Sequence, residues 1–237
     1  TFLGALWAVL QPVMTMVVFT VIFNRMAGIQ ADGVPYPVFS LAGLLPWTFF
    51  SQGLTQASNS LVGSSHLLTK IYFPRVLIPT ASVLSGAVDL VISFVVLAGM
   101  AMIYGMRPSP AALVLPLALV LGFLTTLAGG LWLSALNVRY RDVRYLVPFT
   151  VQVLLFVSPV IYPASDVVGR LEGAGFPGWI YGLNPMVGVV EGFRWSVLGV
   201  GPAPQSLLMT SAVVACCGVA TGLLYFRRME RSFADIV

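Results

Sequence analysis

Residues 90–104 read LVISFVVLAGMAMIY, a run without any charged side chain. A membrane-spanning strand alternates apolar and polar residues over about 10 positions, whereas this run is almost wholly apolar and therefore predicts a helix. It is the second half of a longer segment, 76–104, in which Asp89 is the one charged residue. That segment exceeds the roughly 20 apolar residues needed to cross a hydrocarbon core of about 30 Å, so it predicts a transmembrane helix.

The composition of the whole chain agrees with this segment. Its 237 residues include 12 Lys+Arg and 8 Asp+Glu, so charged residues make up 8% of the chain. An ordinary soluble domain has roughly 25% charged residues. Hydrophobic residues make up 58%, which leaves too little polar surface to cover a globule in water. We expect an integral membrane protein; disorder, a disulfide scaffold and nucleic-acid binding are disfavoured.

Sufficiently long apolar stretches predict six transmembrane helices in one domain, 1–237. They cover residues 2–23, 38–57, 76–104, 111–136, 145–163 and 206–226. Lys and Arg in short connections are retained in the cytoplasm. The side of the membrane that holds more of them is therefore predicted to be cytoplasmic. That side holds Lys70, Arg75, Arg139, Arg141, Arg144, Arg227, Arg228 and Arg231, and the other side holds Arg25, Arg107, Arg170 and Arg194. Both termini are then cytoplasmic, which agrees with six spans, because an even number of spans places both termini on the same side.

Two cytoplasmic connections carry distinctive sequences. Residues 58–75 read SNSLVGSSHLLTKIYFPR, with Asn59 and Ser60 as candidate N-caps for a short amphipathic helix. The apolar side of that helix would carry Leu61, Leu67, Leu68 and Ile71. An ordinary solvated loop and a docking element for another subunit are both compatible with this pattern. Residues 137–145, NVRYRDVRY, concentrate Arg and Tyr, most of which the topology alone explains.

The external segment 164–204 is neither a water-soluble domain nor a clean span. Its middle, FPGWIYGLNPMVGVVEGFRWSVLG at 176–199, is apolar and glycine-rich but contains Glu191 and Arg194. This pattern favours two short helices that lie in or dip into the outer interface of the membrane. Their i, i+3 spacing permits an ion pair between Glu191 and Arg194 if the second piece is helical. Such a segment is a packing element or the gate of a conduit.

Asp89 lies near the middle of the third predicted span. A carboxylate at that depth on an isolated helix costs roughly 2.5 to 3.5 kcal/mol on insertion scales, so it must face protein or water. A proton or ion relay usually needs several such groups, and the predicted spans contain no other charged residue. We therefore favour a packing or subunit-contact role for Asp89 over ion-coupled transport.

The residues needed for an enzyme are scarce. The chain has one His, His66, and one Lys, Lys70, and the latter is followed by Ile71 rather than the Ser or Thr of a phosphate-binding loop. One His and the adjacent Cys216 and Cys217 do not form a metal site of ordinary spacing. We expect no catalytic, cofactor-binding or metal-binding residues, and a driving force for any transport must come from another subunit.

Several stretches occur together in one known order. They are TFLGALWAVLQPVMTMVVFTVIF at 1–23, NSLVGSSHLLTKIYFPRVLIP at 59–79, NVRYRDVRYLVPF at 137–149, SPVIYP at 158–163, YGLNPM at 181–186 and FRRMERSFADIV at 226–237. In this combination the chain resembles the permease subunit of type-2 ABC exporters for polysaccharides, the family that exports O-antigen, capsule and teichoic acid chains. The resemblance covers essentially the whole chain.

The resemblance implies a homodimer of six-span permeases in the bacterial cytoplasmic (inner) membrane, with a channel for lipid-linked polysaccharide. Two copies of a separate cytoplasmic ATPase would bind ATP and Mg, with no cofactor in this chain. Coupling to that ATPase would involve Asn59, Ser60, Leu61, Leu67, Leu68, Lys70, Ile71, Arg139 and Arg141. The family also has an amphipathic helix before the first span, and we expect that helix to precede Thr1.

The resemblance also implies two sets of residues along the conduit. Channel aromatics that could stack on sugar rings are Phe19, Phe23, Trp47, Phe49, Phe50, Phe149, Phe156 and Tyr162. An external gate of two re-entrant helices would contain Trp179, Tyr181, Asn184, Pro185, Glu191, Arg194 and Trp195. Alternatives are a type-2 ABC permease for a drug or small lipid, a membrane enzyme acting on lipid-linked sugars, and a structural membrane scaffold.

Overall fold

The computed structural model describes residues 2–31, 33–64, 73–106, 109–140 and 142–230, and every regular element in these ranges is helical. The α-helices are α1 (Phe2–Phe19), α2 (Tyr36–Gly63), α3 (Leu77–Ile103), α4 (Leu115–Arg139), α5 (Val143–Val157), α6 (Ala164–Gly173), α7 (Pro185–Leu198) and α8 (Gln205–Glu230). A π-helical turn, Thr20–Met26, and two 3₁₀ helices, Pro110–Val114 and Gly178–Leu183, complete the set. The predicted all-α class is confirmed for this part of the chain.

Four helical segments are long and apolar enough to cross a membrane. They are Val9–Met26, Leu77–Ile103, Pro110–Arg139 and Gln205–Glu230, and each corresponds to a predicted span. The two other predicted spans differ, because α2 has 28 residues but a more polar sequence and α5 has only 15 residues. At 1.5 Å per residue α5 is about 22 Å long, shorter than the hydrocarbon core. The chain is thus a multi-pass helical membrane protein, and its six-span arrangement stays a prediction.

Helix α2 is the centre of the bundle and packs against α1, α3, α4, α5 and α7. Every residue from Val38 to Leu45 is buried. The polar side chains of its second half bond to its own backbone; for example, the Thr55 hydroxyl donates to the Ser51 carbonyl oxygen at 2.7 Å. Contact with protein instead of lipid explains why this helix carries more polar residues than the other long helices.

Helix α7 has well-defined signals at both ends. The Asn184 side-chain oxygen accepts a hydrogen bond of 3.1 Å from the Met186 amide, and Pro185 occupies the first helical position. Gly199 ends the helix in the left-handed conformation, with φ of 63°. A Cβ at this position would also lie 2.4 Å from Ser109 Cβ, so both backbone and space favour glycine. These ends fix the register of α7 against the rest of the bundle.

Candidate functional site

The SPVIYP turn, residues 158–163, follows α5 and lies inside the protein. Val160 and Ile161 are fully or nearly fully buried, although their backbone carbonyls are not part of a regular helix. The Tyr36 hydroxyl donates to the Ile161 carbonyl oxygen at 2.8 Å. Buried backbone groups need such partners, so the turn depends on side chains supplied by other helices.

Arg194 supplies two further hydrogen bonds to this turn. Its guanidinium donates to the Pro159 carbonyl oxygen at 2.8 Å and to the Val160 carbonyl oxygen at 3.2 Å. The Arg194 side chain is buried and its Cζ lies 3.7 Å from the centroid of the Phe39 ring, a cation–π contact between α7 and α2. One side chain therefore joins α7, α2 and the SPVIYP turn.

Glu191 completes this cluster with the ion pair that its spacing permits. Its Oε1 lies 2.5 Å from Arg194 Nη1 and accepts a hydrogen bond of 3.3 Å from the Ala164 amide at the start of α6. The predicted Glu191–Arg194 pair is confirmed. We call Phe39, Glu191, Arg194 and the SPVIYP turn the Arg194 cluster.

A second set of bonds connects the segment before α7 to the same turn. The Tyr181 hydroxyl donates to the Val157 carbonyl oxygen at 3.0 Å and lies 3.2 Å from the Tyr162 hydroxyl. The Asn184 amide donates to the Ser158 hydroxyl at 3.0 Å. Partial burial, and then the Tyr162 hydrogen bond, raise the pKa of Tyr181, so its hydroxyl keeps its proton at any physiological pH.

The structure thus brings together five of the predicted gate residues, Tyr181, Asn184, Pro185, Glu191 and Arg194. The two tryptophans contribute no hydrogen bond to this set in the part of the chain that the structure describes. Trp179 is 48% exposed, and Trp195 donates its indole N–H to the Gly201 carbonyl oxygen at 3.2 Å. A cavity of about 370 Å³ lies beside the Arg194 cluster, between α6, α7 and the start of α8, and Glu172 and Trp195 line it.

The coupling region differs from the sequence prediction. Asn59 and Ser60 are not N-caps, because α2 continues to Gly63 and both lie inside it. Their side chains bond backwards, Asn59 Nδ2 to Thr55 O at 2.9 Å and Ser60 Oγ to Ala57 O at 2.7 Å. A new helix therefore does not begin here.

Leu61 also differs from the prediction that it docks on a partner. It has no exposed surface and packs with Leu131 of α4 and Phe226 of α8 in a cluster inside the chain. Arg139 is exposed at the end of α4. The remaining coupling candidates, Leu67, Leu68, Lys70, Ile71 and Arg141, lie outside the described residues.

Asn137 is a residue of this region that sequence reasoning missed. It is buried near the end of α4, and its amide donates to the Ser58 carbonyl oxygen at 2.9 Å and to Asn59 Oδ1 at 3.2 Å. Arg75 similarly ties the residues before α3 to the end of α8, because it donates to the Glu230 carbonyl oxygen at 2.6 Å. On either side of residues 65–72, the last turns of α2 are therefore held to the end of α4, and the residues before α3 are held to the end of α8.

The predicted channel aromatics fall into different environments. Trp47, Phe49 and Phe50 are buried within the chain, whereas Phe149 and Phe156 of α5 are 64% and 56% exposed. Phe19 and Phe23 stack edge to face at 5.3 Å and pack beside Tyr36 and Phe39, and Tyr162 donates to the Phe156 carbonyl oxygen. Phe149 and Phe156 are thus the exposed rings of the predicted set, and their place along a channel stays a prediction.

Asp89 is exposed near the middle of α3, where it lines a groove shared with α1 and α2. Among the described residues, no Lys or Arg forms a salt bridge with it.

Multiple apolar helices, with buried polar clusters at their ends, define a multi-pass helical membrane protein. The chain belongs to the ABC-2 type transporter family, whose sequence profile matches residues 1–198.

Curated relatives agree with this assignment. The O-antigen export system permease protein RfbA of Myxococcus xanthus is 29% identical over 195 residues, covering 82% of this chain and 72% of that protein. A protein of the same name from Klebsiella pneumoniae is 24% identical over 235 residues, covering 99% of this chain and 87% of that protein. The polysialic acid transport protein KpsM of Escherichia coli is 26% identical over 240 residues, covering 96% of this chain and 87% of that protein.

Proposed function

We propose that the chain is the channel-forming permease subunit of an ATP-driven exporter that moves lipid-linked polysaccharide across the bacterial cytoplasmic (inner) membrane. The observation that carries the proposal is similarity along nearly the whole chain to proteins named for O-antigen export and polysialic acid transport. Family membership gives the transporter class, and the relatives give the class of cargo.

In the proposed topology α2 and α5 complete six crossings, with both termini in the cytoplasm. The buried position of α2 supports this, because a helix surrounded by protein does not need the apolar surface of a lipid-facing span. The short α5 crosses with the help of the buried SPVIYP turn, which extends the chain beyond Val157.

ATP hydrolysis is assigned to a separate cytoplasmic ATPase, present in two copies beneath a homodimer of this chain. The lone Lys70 is not part of a phosphate-binding loop, so the nucleotide and its Mg belong to that partner. The loop 65–72 is the proposed contact, and the Asn137 and Arg75 bonds on either side of it would transmit its movement to α4 and α8.

At the other side of the membrane, α6 and α7 are the proposed re-entrant gate. The Arg194 cluster would hold α7 as a rigid body against α2, so that movement of one helix shifts the other. Such a gate needs a firm attachment on one side and an exposed edge on the other, and Trp179 supplies an exposed edge.

The proposal is tested by removing the gene for this chain from its source bacterium and measuring polysaccharide at the cell surface and inside the cell. We expect surface polymer to disappear while lipid-linked polymer accumulates inside, and the full-length chain to restore the surface polymer. Unchanged surface polymer would reject polysaccharide export. A strain whose partner ATPase cannot hydrolyse ATP serves as the control for a blocked exporter.

A further inference from the structure

A polar groove lies between α1, α2 and α3. It has a volume of about 100 Å³ and is lined by Gln11 of α1, Thr48 and Gln52 of α2 and Asp89 of α3, with the rings of Trp7 and Phe49 beside them. Asp89 is near the middle of the 27 residues of α3, so the groove lies deep within the predicted thickness of the membrane.

In the middle of α3, the polar side chains lie on this side of the helix. Val88, Val91 and Val95 point elsewhere and are 65%, 63% and 67% exposed, as lipid-facing residues should be. One turn along from Asp89, the Ser85 hydroxyl lies 3.3 Å from Gln56 Oε1 and continues the polar side of the α2–α3 contact. A carboxylate and two carboxamides are unfavourable against lipid, so the groove faces water or another polar molecule.

The groove combines groups that suit a hydroxyl-rich ligand. Carboxylate oxygens accept hydrogen bonds, and the carboxamides of Gln11 and Gln52 both donate and accept them. Trp7 is 63% exposed and offers a flat apolar face to the CH groups of a sugar ring. No cluster of three metal-ligating side chains occurs in the part of the chain that the structure describes, so Asp89 is a poor cation site there.

We propose that this groove is a sugar-binding subsite of the conduit, in which Asp89, Gln11 and Gln52 bond the hydroxyls of the passing polymer and Trp7 stacks on its rings. The proposal rests on the proposed function and assigns residues to the substrate path. One carboxylate and a few amides in an open groove bind each sugar weakly, which suits a polymer that must keep moving.

Cysteine labelling tests the first part of this proposal. The full-length permease, with Cys216→Ser and Cys217→Ser, is assembled with its ATPase in nanodiscs and carries Gln52→Cys in the groove. The matched control is Val91→Cys, which lies at a similar depth on the exposed apolar side of α3. A hydrophilic maleimide should label Gln52→Cys and not Val91→Cys, and purified lipid-linked polymer should protect Gln52→Cys.

Substitution of Asp89 tests its role. Asp89→Leu should raise the polymer concentration that half-maximally stimulates ATP hydrolysis by about tenfold, the size of one lost hydrogen bond to a charged group. Asp89→Asn keeps an acceptor oxygen and should raise it less. A contact between two permease copies would instead lower the yield of the complex and leave the half-saturating concentration unchanged, which would overturn the proposal.

The outcomes separate the subsite from the function. If Gln52→Cys is not labelled, or is labelled without protection while the polymer still stimulates ATP hydrolysis, the subsite is rejected and the exporter stands. If the polymer neither stimulates hydrolysis nor is moved by the complex with native Gln52 and Asp89, the proposed function falls and the subsite falls with it.

Discussion

Arg194 of α7 donates a hydrogen bond of 2.8 Å to the carbonyl oxygen of Pro159, in the turn that follows α5. The two residues are 35 positions apart in the chain, and the bond lies inside the protein. Because the same guanidinium pairs with Glu191 and covers the Phe39 ring, it determines how the outer segment sits on the bundle.

Replacing Arg194 should therefore destabilise the fold. Arg194→Ala leaves the Glu191 carboxylate and two buried carbonyls without this partner, and we expect the free energy of unfolding to fall by about 3–5 kcal/mol. Thermal unfolding in detergent measures the effect. Arg170→Ala, at an exposed arginine of α6, is the control and should leave the midpoint unchanged. Equal midpoints for both variants would contradict the structural role of Arg194.

Gly43 of α2 should tolerate no side chain. A Cβ there would lie 2.5 Å from Arg194 Nη2 and 2.9 Å from the Val160 carbonyl oxygen. Gly43→Ala should lower the free energy of unfolding by about 1–3 kcal/mol, because the Arg194 cluster must shift. Gly99→Ala on α3 meets nothing within 4 Å and should be tolerated in the same unfolding assay. A greater loss of stability for Gly99→Ala than for Gly43→Ala would refute this packing.

The loop after α2 should be the site of coupling. Leu68→Glu is expected to abolish association with the ATPase and export, because a charged side chain cannot enter an apolar cleft of the ATPase. The permease itself should keep its native unfolding temperature. Pull-down of the ATPase and surface polymer measure the two losses. Intact export by Leu68→Glu would remove this loop from the interface.

Leu61 should behave in the opposite way. Its side chain is enclosed by Leu131 and Phe226, so Leu61→Ala should lower the free energy of unfolding by about 2–5 kcal/mol. The folded fraction should still bind the ATPase in the same pull-down. Normal stability combined with lost binding would restore Leu61 to the docking surface.

The outer segment should have to move during export. In a chain with Cys216→Ser and Cys217→Ser, Trp179→Cys on the exposed edge is crosslinked between two copies, which should stop export and spare ATP binding. Leu113→Cys, 86% exposed in a 3₁₀ helix outside this segment, is the control. Export that continues after complete crosslinking at position 179 would reject the gate.

The sequence was most informative where the signal is local. Helix α3 begins and ends within a few residues of the predicted span 76–104, and helix α8 within four residues of the predicted span 206–226. Hydrophobic length alone determines these bounds. The Glu191–Arg194 pair follows from spacing along one helix. These features need no knowledge of which helices are neighbours.

Features that depend on tertiary contacts were not predictable. The partners of Arg194 in the SPVIYP turn come from a distant part of the chain, and no periodicity connects them. Asn59 resembles an N-cap in sequence, but the packing of Leu61 against α4 and α8 extends α2 past it. In a chain with 58% hydrophobic residues, composition also does not distinguish Trp47, which is buried, from Phe149, which is exposed.

ATP hydrolysis by the full-length permease and its ATPase, purified together in nanodiscs, tests the central claim most directly. The rate is measured with and without lipid-linked polysaccharide from the same organism. We predict a stable complex whose hydrolysis the polymer stimulates. A stable complex that responds to a drug or a small lipid and ignores the polymer would contradict polysaccharide export.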